Sequence, residues 1–428
     1  MSKKPVIPGK YDIKELALFS RNGAVIDVTR FTASLVIYES IFEKTMSGRI
    51  GLIESLNLKR HFGLNGDEHV RVNFETSGFD GQGVNVGLQS YKNSKLSALN
   101  ETTSVYSIFL DSPITYQNKK SRVVESFDEN GAKIIDIVFN RYLNKGDVDA
   151  KLYVGAPVFN NIKFISPHWR PLKVIDWVSK RCLNAPPTSA PSYLFFQTAD
   201  GFFFTNMADL VTQEPFATYT YYQGGSSNLP LGAKFYAIEK LSIGESFDRL
   251  QQMESGVFTS QLSTHDITHK KIEDLTYNYA DRFKDETHIE KNKIIADANE
   301  DFTGYPYKRM YAPKSAFKHD NVFDGDLYEG WTLQRQSIMN QYGSNKIMIE
   351  VPGNSMLRAG QVINIEIPAL EPKKDKDKDW KDPYLSGKYL IESLKHEIVI
   401  NEQGKYTTTL ELIRDSLPES VPDIKEFG

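Results

Sequence analysis

The fold is decided by two related stretches, Gly48-Arg-Ile-Gly-Leu-Ile-Glu-Ser55 and Asn345-Lys-Ile-Met-Ile-Glu-Val351. Each is followed, after a polar loop, by a segment in which apolar and polar residues alternate as in a β-strand with one wet face. These segments are His69–Glu75 and Val362–Ile367. Each copy ends in another strand pair, Val84–Leu88 with Val105–Ser112 in the first and Tyr389–Leu394 with Tyr406–Ile413 in the second. Residues 45–116 and 343–417 therefore predict a duplicated small β-unit, which favours ring building or scaffolding over catalysis.

The composition indicates a folded protein of several domains. The chain has 428 residues, 40% of them hydrophobic and 12% aromatic, which is enough for roughly two to four domains. A net charge of −4 argues against a protein that neutralises nucleic acid phosphates. The single cysteine, Cys182, permits no intrachain disulfide and fits assembly in a reducing cytoplasm. We expect neither a signal peptide nor membrane insertion, since the start and the interior lack apolar runs of the necessary length.

The hydrophobic period changes from two to that of a helix after about residue 113. Helices are predicted over Gly131–Tyr142 and from Pro171 to Cys182, and a hairpin over Tyr193–Phe204. This pattern predicts an α/β insertion after the first β-unit. A further helix is predicted to begin at Ser242, with Glu245 completing a capping box. Another short helix, over about residues 330–342, precedes the second copy.

Two charged segments are candidates for contacts with partners. Residues 273–302 hold nine acidic residues, and we expect a solvated arm or a partner surface. Residues 371–382 carry five acids and five lysines and interrupt a strand connection, which predicts a projecting loop. The candidate partner-contact residues of this loop are Lys373, Lys374, Asp375, Lys376, Asp377, Lys378, Asp379 and Trp380.

No constellation of residues in the sequence demands catalysis. His265 and His269 would share one face of a helix, but their Thr- and Val-rich surroundings favour a strand. On a strand these histidines would lie roughly 13 Å apart, too far for one ion. No phosphate-binding loop, nucleophile elbow or selected carboxylate pair is found. We therefore predict no catalytic, cofactor-binding or metal residues, no cofactor and no enzymatic activity.

The order of these elements resembles the central baseplate hub protein of contractile-tailed bacteriophages, and the hub part of VgrG-type spikes. Three regions carry the resemblance: Gly48–Ser55 with Leu64-Asn-Gly-Asp67, the hairpin Tyr193–Phe204, and Val351-Pro-Gly-Asn-Ser-Met-Leu-Arg-Ala-Gly-Gln361. It implies a mainly β fold with α+β insertions and two tail-tube-like β-barrel domains in one chain. The expected parts are the first barrel (1–113), the α/β insertion (114–215), linking strands and a helix that could contribute to the second barrel (216–272), the acidic arm and helix (273–342), the second barrel (343–417) and a tail (418–428).

The resemblance also implies a structural function in the virion. Three hub chains would supply six barrels, a pseudo-hexameric ring that connects the six-fold tail tube to the three-fold spike. The implied partners are two further copies of the chain, the tail tube protein, a spike or spike-lysozyme protein and other baseplate proteins. DNA would pass through the lumen without specific binding, and assembly would occur in the host cytoplasm. The alternatives from other classes are a β-rich carbohydrate- or receptor-binding module and a cell-wall hydrolase.

Overall fold

The strands of the first sequence copy form an antiparallel sheet. The computed structural model describes residues 7–79, 83–94, 97–98, 100–145, 150–185, 191–246, 248–266, 269–294, 306–313, 328–369, 381–400 and 404–420. The strands of the first repeat, with one short helix, are β1 (Tyr11–Phe19), β2 (Val25–Asp27), β3 (Thr32–Ser40), β4 (Ser47–Glu54), α1 (Leu58–His61), β5 (His69–Thr76), β6 (Gly83–Asn93), β7 (Ser97–Ala98) and β8 (Ser104–Asp111).

Alternation along these strands builds the first core. In β5, Val70, Val72 and Phe74 are at most 1% exposed, while His69 and Arg71 face solvent. The strands pair in the order β2-β1-β5-β6-β8-β4-β3, and β7 pairs with β8. Burial of the apolar face of each strand against the others supplies the main stabilisation of this unit.

The insertion packs helices against short strands, as the change of period predicts. Its elements are α2 (Pro113–Lys120), β9 (Ser126–Asn130), α3 (Gly131–Val138), a π-helical turn (Phe139–Leu143), β10 (Leu152–Val154), β11 (Asn161–Ile165), α4 (Pro171–Ser179), β12 (Tyr193–Thr198), β13 (Gly201–Asn206) and α5 (Met207–Val211). Asn130 begins α3 by accepting a hydrogen bond from the Ala132 N–H, and Pro171 occupies the first turn of α4. The hairpin of β12 and β13 is antiparallel. The two predicted helices and the predicted hairpin are confirmed.

The middle of the chain consists of short strands and helices that lead into the second repeat. These are β14 (Thr218–Tyr221), α6 (Leu231–Phe235), β15 (Ala237–Ile238), β16 (Lys240–Ser246), α7 (Arg249–Ser255), β17 (Thr259–Asp266), β18 (Lys271–Asn278), α8 (Tyr279–Arg282), β19 (Lys308–Pro313) and α9 (Thr332–Gln341). Strands β18, β17 and β19 form a separate sheet. The predicted short helix before the second copy is confirmed as α9.

The predicted start of a helix at Ser242 is wrong. Ser242 lies in β16, where it pairs with Met348, and α7 begins only after Asp248, whose side chain accepts a hydrogen bond from the Gln251 N–H. Pairing with a long neighbouring strand overrides the local capping pattern at this position. Gly256 ends the helix in the left-handed conformation, at φ 78°, which glycine adopts readily.

The second repeat reproduces the strand order of the first. Its strands are β20 (Asn345–Pro352), β21 (Val362–Glu366), β22 (Gly387–Val399) and β23 (Lys405–Ile413). They pair in the order β20-β23-β22-β21, as β4-β8-β6-β5 do in the first repeat. The neighbours extend the match, because β16 pairs with β20 as β3 pairs with β4. The sequence echo is therefore a structural duplication.

Irregular features repeat as well. Strand β6 changes register against β8 between Ser90 and Lys92, and β22 does so against β23 between Ile391 and Ser393. Before β5, the Glu68 carboxylate accepts a hydrogen bond from the Asn65 N–H at 2.7 Å. Before β21, the Gln361 side-chain oxygen accepts one from the Arg358 N–H at 3.0 Å. The loop before each strand also holds a glycine with positive φ, 87° at Gly66 and 89° at Gly360, a conformation that favours glycine.

The chain is mainly β, as predicted, but its described strands form no closed barrel. In the second repeat, pairing runs from β16 through β20, β23, β22, β21 and β14 to β15. The series of paired strands thus begins and ends in the same segment, residues 237–246. This segment changes its partner at Glu239, from β14 before it to β20 after it, so the strands do not form a closed ring. Within the part of the chain that the structure describes, no helix is both long and apolar enough to cross a membrane.

Candidate assembly interface

The two repeats are joined edge to edge by β3 and β22. These strands pair antiparallel over seven residue pairs, from Ser40 opposite Ser393 to Ser34 opposite Val399. Strand β22 is long enough, at 13 residues, to pair with β21 at its start and with β3 over the rest. The main-chain hydrogen bonds of the joint make the two repeats parts of one continuous sheet.

An aromatic cluster fills the core side of this joint. Phe74 from the first repeat meets Tyr406 from the second edge to face, with ring centroids 5.6 Å apart, and lies 6.0 Å from the ring of His396. The Tyr406 hydroxyl and His396 Nδ1 are 2.8 Å apart. Burial lowers the pKa of His396 to about 3, with a further contribution from the charge of Arg358. His396 is therefore a neutral, structural residue at the joint.

Glu39 connects three parts of the chain through one carboxylate. It lies in β3 with only 2% of its surface exposed. Its Oε1 accepts a hydrogen bond from the Ala199 N–H of the insertion hairpin at 2.8 Å, and its Oε2 accepts one from the Ala359 N–H of the second repeat at 3.0 Å. Burial raises the pKa of Glu39 to about 7, against the opposing effects of Arg358 and the two N–H groups.

Arg358 connects the same three parts through its guanidinium group. Its side chain is 9% exposed. Nη1 donates to the carbonyl oxygens of Ser355 and Leu357 at 2.7 and 2.8 Å. Nη2 donates to the Gly83 carbonyl of the first repeat at 3.1 Å and to the Asp200 carboxylate of the hairpin at 3.0 Å. The planar fork of arginine suits several acceptors at once, so this residue fixes the angle at which the repeats and the hairpin meet.

A third contact ties the two repeats together through reciprocal hydrogen bonds. The Thr76 N–H donates to Ser355 Oγ at 3.0 Å, and the Ser355 N–H donates to Thr76 Oγ1 at 2.9 Å. Thr76 Oγ1 in turn donates to the Gly353 carbonyl at 3.0 Å. Thr76 and Ser355 are both fully buried, so these two hydroxyl groups and the two N–H groups are satisfied where water cannot reach them.

The raised pKa of Glu39 predicts a pH dependence of stability. The folded pKa of about 7 exceeds the ordinary value of 4.5, so the folded protein binds a proton that the unfolded chain has released. The stabilisation is fully present below pH 4.5 and is lost as the pH rises through 7. Relative to Glu39→Gln, the wild type should gain up to about 1.4 kcal/mol of unfolding free energy per pH unit as the pH falls through this window. Urea unfolding at pH 5, 6, 7 and 8 measures the difference.

His396→Gln supplies a matched variant with the opposite sign. Because the pKa of His396 is lowered from 6.5 to about 3, its stabilisation is present above pH 6.5 and is lost as the pH falls toward 3. The difference between wild type and His396→Gln should therefore shrink as the pH falls. Differences from wild type that stay constant over pH 5–8 for both variants would contradict this account of the joint.

The partner-contact residues predicted from the sequence, Lys373, Lys374, Asp375, Lys376, Asp377, Lys378, Asp379 and Trp380, lie outside the described residues. Part of the acidic segment is described, and it divides in two. Strand β18 is largely exposed, whereas the His288 side chain is only 6% exposed and lies 2.7 Å from the Asp415 carboxylate at the end of the second repeat. Asn292 and Leu417 form a β-bridge at the same place.

The two candidate metal ligands do not lie on one strand. His265 lies in β17, as predicted, and His269 lies beyond the end of that strand, where its Nδ1 contacts the Asp266 carboxylate at 2.8 Å. Within the described residues, no group of three or more His, Cys, Asp or Glu side chains is placed to hold a metal ion.

Sequence reasoning missed the central residues of the joint, Glu39 and Arg358. Glu39 sits near the end of β3 without any local sign that its carboxylate is buried. Arg358 lies in one of the stretches that carry the resemblance, in the loop that corresponds to Leu64–Asp67. A basic residue in that buried loop was the available signal, but its acceptors come from sequence positions as distant as Gly83 and Asp200.

Comparison with known proteins agrees with this architecture. The probable baseplate hub protein gp334 of Vibrio phage KVP40 is 25% identical over 175 residues, which cover 39% of this chain and 39% of that protein. The resemblance to a baseplate hub protein is confirmed. The match spans about two fifths of the length of the curated relative. No family model matches the chain.

Solved structures show the same fold at low identity. The tail protein from Neisseria meningitidis superposes with a TM-score of 0.55 and 10% identity, covering 96% of this chain and 99% of that one. The 43 kDa tail protein of prophage MuSo2 from Shewanella oneidensis superposes with a TM-score of 0.55 and 10% identity, covering 95% and 99%. The likeness extends over nearly the whole chain and shows that this chain has the fold of these tail proteins.

Proposed function

We propose that this chain is the structural hub of a phage tail baseplate, a homotrimer that presents a pseudo-hexameric ring. The observation that carries the proposal is the edge-to-edge fusion of two repeats with the same strand order. Two repeats in one chain give three chains six nearly equivalent units. Such a ring has the symmetry needed to join a six-fold tail tube to a three-fold spike.

The proposal also assigns partners and place. The ring would contact the tail tube protein on one side and a spike or spike-lysozyme protein on the other, with other baseplate proteins around it. It would be assembled in the host cytoplasm and remain in the virion. A channel through the ring would let DNA pass, and a net charge of −4 suits a passage that does not hold phosphates. The loop 371–382, which distinguishes the second repeat, is a proposed partner contact.

The arrangement supports a structural role over the two alternatives. A carbohydrate-binding module would use exposed aromatic strands, but Phe202 and Phe204 are at most 1% exposed in the core of the insertion. A hydrolase would use a pair of carboxylates in an open cleft. The unusual carboxylate of the joint, Glu39, is buried and bonded to two backbone N–H groups, which suits a structural link.

The oligomeric mass tests the proposal. Light scattering of the purified chain over a wide concentration range should give three times the chain mass of 48.7 kDa, and negative-stain images should show hollow rings with three-fold symmetry. A chain that stays monomeric at the highest concentration would contradict the trimeric hub. Hydrolysis of cell-wall material, abolished by a single carboxylate substitution, would favour the hydrolase instead.

A further inference from the structure

The joint between the repeats uses β3 from the first repeat and β22 from the second. Their counterparts, β16 in the second repeat and β6 in the first, have no such neighbour among the described strands. In the first repeat, β3 pairs with β4 on one side and β22 on the other. Its counterpart in the second repeat, β16, pairs only with β20 among the described strands. Likewise β22 receives β3 beyond its contact with β21, whereas its counterpart β6 has no described strand partner on that side beyond Ser90, whose N–H donates to the Glu68 carbonyl.

The exposure of two corresponding isoleucines shows what the β16 edge lacks. Ile37 on β3 lies opposite Gly48, and Ile243 on β16 lies opposite Ile347, the residue that takes the place of Gly48 in the second repeat. Ile37 is fully buried, with His396 of β22 beside it. Ile243 is 45% exposed, although it lies on the same face of the sheet as its buried neighbour Ile347 on β20. An apolar residue is thus left half uncovered on an unpaired strand edge, which is a template for another strand.

We propose that β16 of one chain pairs antiparallel with the end of β6 and with β7 of a second copy of this chain. This contact would repeat, between subunits, the joint that β3 and β22 make within one chain. This inference rests on the proposed ring and names the edges that close it. Each chain carries one edge of each kind. The contact is therefore heterologous, and identical copies joined in this way close into a ring if the rotation permits.

The repeat fixes the expected register of the new contact. Ser97 lies opposite Val105 on β8, as Glu397 lies opposite Thr407 on β23. Glu397 pairs with Val36 across the internal joint, and Ser242 holds the position of Val36 in the second repeat. Ser97 of one copy should therefore lie opposite Ser242 of the next. Both serines are exposed in the single chain.

The first test is Ile243→Lys, which places a charge on the inward side of the unpaired edge. Charged side chains at such positions block strand pairing. We expect the trimer to dissociate at least ten-fold more readily, as measured by light scattering during dilution. Leu250→Lys is the matched control, because Leu250 is 74% exposed on the neighbouring helix α7 and lies off the proposed edge. Thermal unfolding of both variants verifies that each chain remains folded.

The second test uses Ser97→Cys together with Ser242→Cys and a short bismaleimide linker, which tolerates a shift of one residue in register. The native Cys182 is fully buried and should not react in the folded protein. Covalent dimers and trimers are expected on denaturing gels for the double variant, and none for either single variant.

The outcomes separate this contact from the hub itself. The β16 contact would be overturned, with the hub left intact, by the following combination of results. The wild type is a trimer, Ile243→Lys is a trimer of the same stability, and the variant with Ser97→Cys and Ser242→Cys forms no covalent dimer. A wild type that is monomeric at every concentration, without any cross-linked species from the double variant, would overturn the trimer and the contact together.

Discussion

Replacing Arg358 by alanine is expected to lower the free energy of unfolding by about 3–5 kcal/mol, because it leaves several buried carbonyl acceptors without this donor. The guanidinium donates to three backbone carbonyls and to Asp200. Without it, the carbonyl oxygens lose their donor in a region where Arg358 itself is 9% exposed. Each unsatisfied buried acceptor costs roughly 1–3 kcal/mol. Urea unfolding of the purified chain measures the loss.

Two control variants sharpen this prediction. Arg358→Lys keeps the charge but cannot present a planar fork to four acceptors, so its loss should be intermediate. Arg71→Ala removes an exposed arginine that lies 3.5 Å from Glu15, and surface ion pairs contribute at most about 1 kcal/mol. Hydrogen exchange at the Ala199 and Ala359 amides, which donate to Glu39, should accelerate in Arg358→Ala. An effect no larger than that of Arg71→Ala would show that Arg358 does not hold the joint.

Replacing Gly353 by alanine is expected to cost about 3 kcal/mol or more, at the upper end of the range for overpacked cores. A Cβ at this position would stand 2.1 Å from two atoms of the Tyr406 ring. The ring cannot move away, because it packs on Phe74 and its hydroxyl contacts His396. The backbone is held as well, since the Gly353 N–H donates to the Tyr406 carbonyl at 2.9 Å. The thermal midpoint and the urea midpoint should both fall.

Gly343→Ala is the matched control, because a Cβ at Gly343 would meet nothing within 4 Å. Its effect should stay within about 0.5 kcal/mol. A double-mutant cycle tests the cause directly: in a Tyr406→Leu background, where the ring is absent, Gly353→Ala should cost less than in the wild type. Equal costs in the two backgrounds would show that the clash with Tyr406 is not responsible.

The periodic elements were predictable because their causes are local. Alternation in His69–Glu75 places every second side chain on one face, and the helical spacing in Gly131–Tyr142 places a stripe on one side. The helix start predicted at Ser242 was wrong because the interaction that decides the structure there is not local. Its local capping pattern was sound, but Met348 and its neighbours on β20, about one hundred residues away, offered Ser242 a strand instead.

The repetition of a β-unit could be predicted from the sequence, because residues 45–116 and 343–417 share strand patterns and loop glycines. Which edges of the two repeats meet, and which lack a partner among the described strands, could be learned only from the folded chain. The same holds for the joint that Glu39 and Arg358 form with Ala199 and Asp200. The physical reason is that side-chain periodicity depends on neighbours along the chain, whereas edge pairing and carboxylate burial depend on groups that folding brings together from distant positions.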